Sequence, residues 1–96
     1  MLTHIVLFKF KAEASEAQIS KLCTDLQSLP EQIDEIGEFR CGRDVIRSER
    51  SYDLGLIATF ADRDALQRYQ VHPDHQQVVA QVREIAASVV AVDFED

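Results

Sequence analysis

Ninety-six residues make one domain and leave little room for a second. With 46% hydrophobic and 28% charged residues, three glycines and two prolines, the composition excludes a disordered or collagen-like chain, and no apolar run reaches membrane-spanning length. Seventeen acidic residues face ten basic ones, and a net charge of −7 with no Lys/Arg cluster repels phosphate backbones, which argues against nucleic acid and membrane partners.

The first apolar stretch starts at Leu2, which leaves no room for a signal peptide and predicts a cytoplasmic protein. Leu2 to Lys11 (LTHIVLFKFK) is rich in β-branched and aromatic residues and predicts a strand. Ser15 and Gln18 form an S-x-x-Q capping box, and Ile19, Leu22, Leu26 and Leu29 follow at helical spacing. Pro30 is expected to end that helix or begin a short turn, since it has no N–H to donate. Ile36 to Asp44 predicts a second strand with a bulge or end at Gly42, and the charged stretch Arg43 to Asp53 a long, mobile hairpin loop. Leu54 to Phe60 (LGLIATF) is a third strand.

Asp62 is a natural N-cap for a helix carrying Ala65, Leu66 and Tyr69 on one side. Pro73 must interrupt or restart this helix, and Val78, Val79, Val82, Ile85 and Ala86 continue at helical spacing beyond it. Val89 to Phe94 forms the last strand. The order βαββαβ with right-handed crossovers predicts a ferredoxin-like α+β fold over residues 1–96, with a four-stranded antiparallel sheet and the helices on one face.

Alternation places His4, Val6, Phe8 and Phe10 on one face of the first strand, and Ile5, Leu7 and Lys9 on the other. In the third strand Leu54, Leu56, Ala58 and Phe60 oppose Gly55, Ile57 and Thr59. Two helices cover one face, yet Ile5, Leu7 and Ile57 make the second too apolar to be left in water. A homodimer packed through these sheet faces, a dimeric α/β barrel, resolves the conflict with a single self-complementary surface.

The segments His4-Ile5-Val6-Leu7-Phe8-Lys9-Phe10, Gly42-Arg43-Asp44-Val45, Asp53 to Phe60, Ala65 to His75 and Val92-Asp93-Phe94 together resemble the stress-responsive α/β-barrel (Dabb) family over essentially the whole chain. Tyr69-x-x-His72-Pro73-x-His75 is the most specific of these marks. The resemblance implies the same dimeric barrel. The family includes plant olivetolic acid cyclase, which closes a linear polyketide by aldol condensation. By that resemblance His75 would be the base, Tyr69 would orient it or polarise a carbonyl, and His4 would assist substrate placement. The cyclase lines its first helix with aromatic residues where this chain has Leu22, Cys23 and Leu26, so its substrate does not carry over.

His4, Tyr69, His72 and His75 comprise all three histidines and one of the two tyrosines. They are expected to meet at a pocket between sheet and helices lined by Val6, Phe8, Leu22, Leu26, Leu56 and Ala58. A neutral imidazole takes a proton near pH 7, and a phenol donates to a carbonyl gaining negative charge. The bland alternatives are that His72 only caps a restarted helix, Tyr69 only buries its ring, and His75 only steadies the core. His72 and His75 lack a third ligand at a telling spacing, so neither a metal nor another cofactor is expected. Cys23 and Cys41, far apart and outside any ligand motif, read as buried free thiols. Three functions fit: a small-molecule-binding dimer, a cyclase, lyase or isomerase acting on a carbonyl compound, and a stress-protective oligomer with a collapsed pocket.

Overall fold

In the computed structural model, which describes residues 1–96, the elements run β1 (Leu2–Phe10), α1 (Glu16–Gln32), β2 (Phe39–Arg43), β3 (Leu54–Phe60), α2 (Arg63–Val71), α3 (Pro73–Ile85) and β4 (Ala86–Glu95). The sheet order is β2-β3-β1-β4, antiparallel throughout, which is the ferredoxin-like arrangement. Leu22, Leu26 and Leu29 of α1, Ala65 and Tyr69 of α2, and Val78 and Ile85 of α3 share one core with Phe8, Leu54, Leu56, Ala58 and Phe60. All three helices therefore cover the same face of the sheet.

Local chemistry sets the element ends. The Ser15 hydroxyl accepts from the Gln18 N–H at 3.1 Å, and the Gln18 side chain accepts from the Ser15 N–H at 2.9 Å, closing the capping box. The expected stop at Pro30 does not occur: α1 runs on to Gln32. A proline inside a helix costs about 3 kcal/mol. Here Leu29 (1% exposed) and Ile33 (0%) are buried on either side of it, and the Ile33 N–H bonds the Leu29 carbonyl at 2.9 Å. Two such side chains contribute about 1.5–3 kcal/mol each, enough to offset the proline.

The second strand is shorter than its sequence pattern, because the Ile36 N–H turns back to the Ile33 carbonyl and residues 37 and 38 both bond a single residue, Thr59. Gly37 N–H donates to the Thr59 carbonyl, Glu38 N–H to the Thr59 hydroxyl, and Thr59 N–H to the Glu38 carbonyl, at 2.7–2.9 Å. A Cβ on Gly37 would stand 2.7 Å from Thr59 Oγ1 and 3.2 Å from its carbonyl oxygen, so the approach needs glycine. The loop between β2 and β3 is tied down by Asp53, whose carboxylate accepts from the Phe10 N–H and pairs with Arg47, both at 2.8 Å. Arg47 itself is left-handed (φ 60°), with its N–H held by the Asp44 carboxylate.

The register extends the apolar outer face. Ile5 lies between Ile57 and Val92, and Leu7 between Gly55 and Val90. Val90, Val92 and Phe94 of β4 thus join Leu7 and Ile57, all 39–54% exposed.

Urea unfolding tests this account of the core. Leu29→Ala is expected to cost about 2–5 kcal/mol and Ser15→Ala about 1 kcal/mol. Unchanged midpoints would show that neither the α1 seam nor the cap holds the fold.

Candidate functional site

The site is built on the break between two helices. The Asp62 carboxylate caps α2 by accepting from the Ala65 N–H at 2.8 Å. Pro73 opens α3, and His72 serves both helices: its N–H donates to the Tyr69 carbonyl, and its Nδ1 accepts from the Asp74 N–H at 3.1 Å. This sharp junction packs Tyr69, near the end of α2, against His75, at the start of α3, with ring centroids 4.2 Å apart and the ring planes tilted by 44°. Tyr69 also packs on Phe60 at 4.9 Å, and the His4 ring lies edge-on at 6.3 Å.

Each polar group has a defined state. His75 Nδ1 lies 3.2 Å from the Gln70 carbonyl oxygen. A carbonyl only accepts, so Nδ1 carries the proton and Nε2 is the basic nitrogen. Burial lowers the His75 pKa, and the nearby His4 and His72 lower it further against the favourable Gln70 bond. Burial pushes the Tyr69 phenol far above its ordinary value, so it stays protonated and donates. Tyr69 is 1% exposed and its hydroxyl makes no bond within the chain, yet no fully occluded side-chain oxygen lacks a partner. The hydroxyl therefore opens onto the adjoining cavity. His4, also buried, donates from Nδ1 to the carboxylate of Asp93, its partner in the β1–β4 register.

These groups meet at a cavity of about 340 Å³ between the sheet and α2–α3. The sheet contributes His4, Val6, Phe8, Leu56, Val89 and Ala91. Leu26 closes the α1 side; Tyr69 and Gln70 come from α2, and His75, Val78, Val79, Val82 and Arg83 from α3. Its size and its mostly apolar wall with a few convergent polar groups are those of a small-molecule site. A cavity of about 430 Å³ at the Lys9 end of β1 is lined instead by charged residues, among which Arg47 is committed to Asp44 and Asp53.

Of the residues predicted for the pocket, Val6, Phe8, Leu26 and Leu56 line the cavity together with His4, Tyr69 and His75. Leu22 and Ala58 do not: both are completely enclosed by other side chains of the core, away from the cavity. His72 does not line it either, because its ring is turned to the α3 N-terminus as a cap. Sequence reasoning missed Asp93, Gln70, Arg83 and the β4 wall. Positions 75, 78, 79, 82 and 83 form one helical stripe, and that spacing was the available signal for most of the α3 lining. No three His, Cys, Asp or Glu side chains cluster as a metal site. Cys23 and Cys41 are free thiols whose pKa values burial raises, which makes them poor nucleophiles.

Comparison with known proteins places this geometry. The description "Stress responsive A/B Barrel Domain" matches residues 2–96. An uncharacterized protein of Streptomyces coelicolor is 33% identical over 97 residues, covering 99% of both chains. The crystal structure of a dimeric ferredoxin-like protein of unknown function from Thermobifida fusca superposes with a TM-score of 0.90 at 30% identity, over 99% of this chain and 90% of that one. A hydroxynitrile lyase from Passiflora edulis shares the fold, with a TM-score of 0.86 at 18% identity, over 97% and 90% of the two chains. The chain belongs to the stress-responsive A/B barrel domain family.

Proposed function

We propose that the protein is a homodimer that binds a small, partly apolar molecule between its sheet and helices. One observation carries this reading: an apolar cavity of about 340 Å³ ends in a few convergent polar groups, Tyr69, His75 and His4 with its partner Asp93, that the core does not consume. The outer sheet face supports the dimer. Leu7, Ile57, Val90, Val92 and Phe94 are each already about half covered, so completing their burial contributes about 1 kcal/mol apiece, before the cost of association. The related Thermobifida protein is described as dimeric.

The Gln70–His75 bond supports a second reading, acid–base catalysis on a carbonyl compound. His75 Nε2 would take the proton from the carbon next to a carbonyl, and the Tyr69 hydroxyl would hydrogen-bond the oxygen as negative charge develops. The enolate so formed then adds to a second carbonyl, expels a leaving group or regains a proton at carbon. These are the cyclase, lyase and isomerase outcomes. The lyase that shares this fold is too distant in sequence to select among them.

Native mass spectrometry at micromolar concentration is expected to give a dimer, with Leu7→Glu shifting it towards monomer; a monomeric parent protein would overturn the assembly. For the cavity, fluorescence of the neutral dye Nile red is expected to rise with the parent protein and not with Val79→Trp, which fills the space. Equal fluorescence with both would place the dye elsewhere.

The catalytic reading predicts deuterium exchange at the α-carbons of 2-octanone in D₂O, lost by about 10²–10⁴-fold in His75→Ala. Exchange that survives this substitution would contradict it. Because burial lowers the His75 pKa below its ordinary 6.5, the unfolded chain binds the proton first as pH falls. Stability is therefore lost progressively from about pH 6.5 down to the native pKa of His75, and His75→Gln should flatten that slope in urea unfolding. Parallel slopes in the two proteins would show that His75 is not buried as described.

A further inference from the structure

Arg83 is the one permanently charged group on the wall of this cavity. It occupies the last turn of α3, on the same stripe as His75, Val78, Val79 and Val82. No hydrogen bond or ion pair engages its guanidinium, although acidic residues outnumber basic ones 17 to 10. Arg43, Arg47, Arg63 and Arg68 all have carboxylate partners. Arg40 and Arg50 have none either, but they lie on the outer sheet face and in the β2–β3 loop, away from this cavity. No Asp or Glu lines the cavity to compete for the charge.

We propose that Arg83 docks the carboxylate of an amphipathic ligand whose apolar chain fills the cavity and whose other end meets Tyr69, His75 and His4. The proposal rests on the cavity's being the ligand site, and it names the ligand class: a medium-chain monocarboxylate or a carbonyl-bearing derivative of one. Its bland competitor is that Arg83 only complements the C-terminal end of the α3 dipole. That role needs a cation at the last turn, but not one on the wall of an apolar cavity.

Geometry sets the length. His75 and Arg83 are eight positions apart, about 12 Å along a helix at 1.5 Å per residue. Helical side chains lean towards the N-terminus, so the guanidinium sits nearer to His75 than its Cα does. An extended chain covers about 1.3 Å per bond, so roughly six to nine bonds span the gap. The planar guanidinium holds a carboxylate through two parallel N–H donors, which a lysine cannot reproduce.

Calorimetric titration with octanoate, decanoate and the matching alcohols tests the assignment in the intact protein. The parent protein is expected to bind each acid at least about tenfold more tightly than its alcohol. Arg83→Met should erase that difference between acid and alcohol, and Arg83→Lys should restore part of it. Circular dichroism would show that both variants keep the α3 helix. Equal binding of acid and alcohol by the parent protein, or an acid preference that survives in Arg83→Met, overturns the role of Arg83 alone. Absence of binding by both acids and both alcohols, or binding that Val79→Trp leaves intact, overturns the cavity reading and this proposal with it.

Discussion

The structure depends on where β1 sits. It is hydrogen-bonded on both edges, to β3 and β4, so its backbone donors and acceptors are satisfied by the sheet and its position is fixed. Alternation along this central strand then sends His4, Val6 and Phe8 to the helices and Ile5 and Leu7 to the opposite face. A shift by one residue would exchange the two sets, placing a histidine on the outer surface and stripping the core of Phe8. The cavity and the apolar outer face are consequences of one register. The β4 partner repeats the division, with Asp93 and Ala91 inward and Val92 and Val90 outward.

The second constraint is the helix break at Pro73. A continuous helix would place positions 69 and 75 well apart, more than one and a half turns along the axis. The junction instead brings their rings to 4.2 Å and leaves the Gln70 carbonyl free to accept from His75. The side-chain state follows from the backbone: the freed carbonyl sets the imidazole tautomer, and burial keeps the ring neutral. His72, the residue that satisfies the new helix end, is spent in doing so. It contributes to the site by position rather than by contact.

Much of this was legible in the chain. The strands read from β-branched alternation, the capping box from Ser15 and Gln18, and the helix restart from Pro73, because each rests on interactions within a few residues. Pro30 misled, since its local cost is overridden by burial of Leu29 and Ile33, and that burial depends on the sheet beneath them. The first-strand residues Val6 and Phe8 were correctly assigned to the helix side. Leu22 and Ala58 share that side but pack against other core side chains rather than the cavity, and periodicity gives a face without a neighbour. Asp93 required the β1–β4 register, a contact across 89 residues that no local pattern encodes. Arg83 was hidden for a different reason: as a charged residue near a helix end it looks like ordinary surface.

In the proposed dimer one sheet would serve two tasks: self-association on the outside and ligand binding within. Methyl NMR on the protein labelled at isoleucine, leucine and valine tests that division most directly. Adding 1-octanol should shift Val78, Val79, Val82 and Val89, while dilution into the range where the dimer dissociates should shift Ile5, Leu7, Ile57, Val90 and Val92. Octanol shifts centred on Ile5, Leu7 and Ile57, with the valines of α3 unmoved, would contradict it.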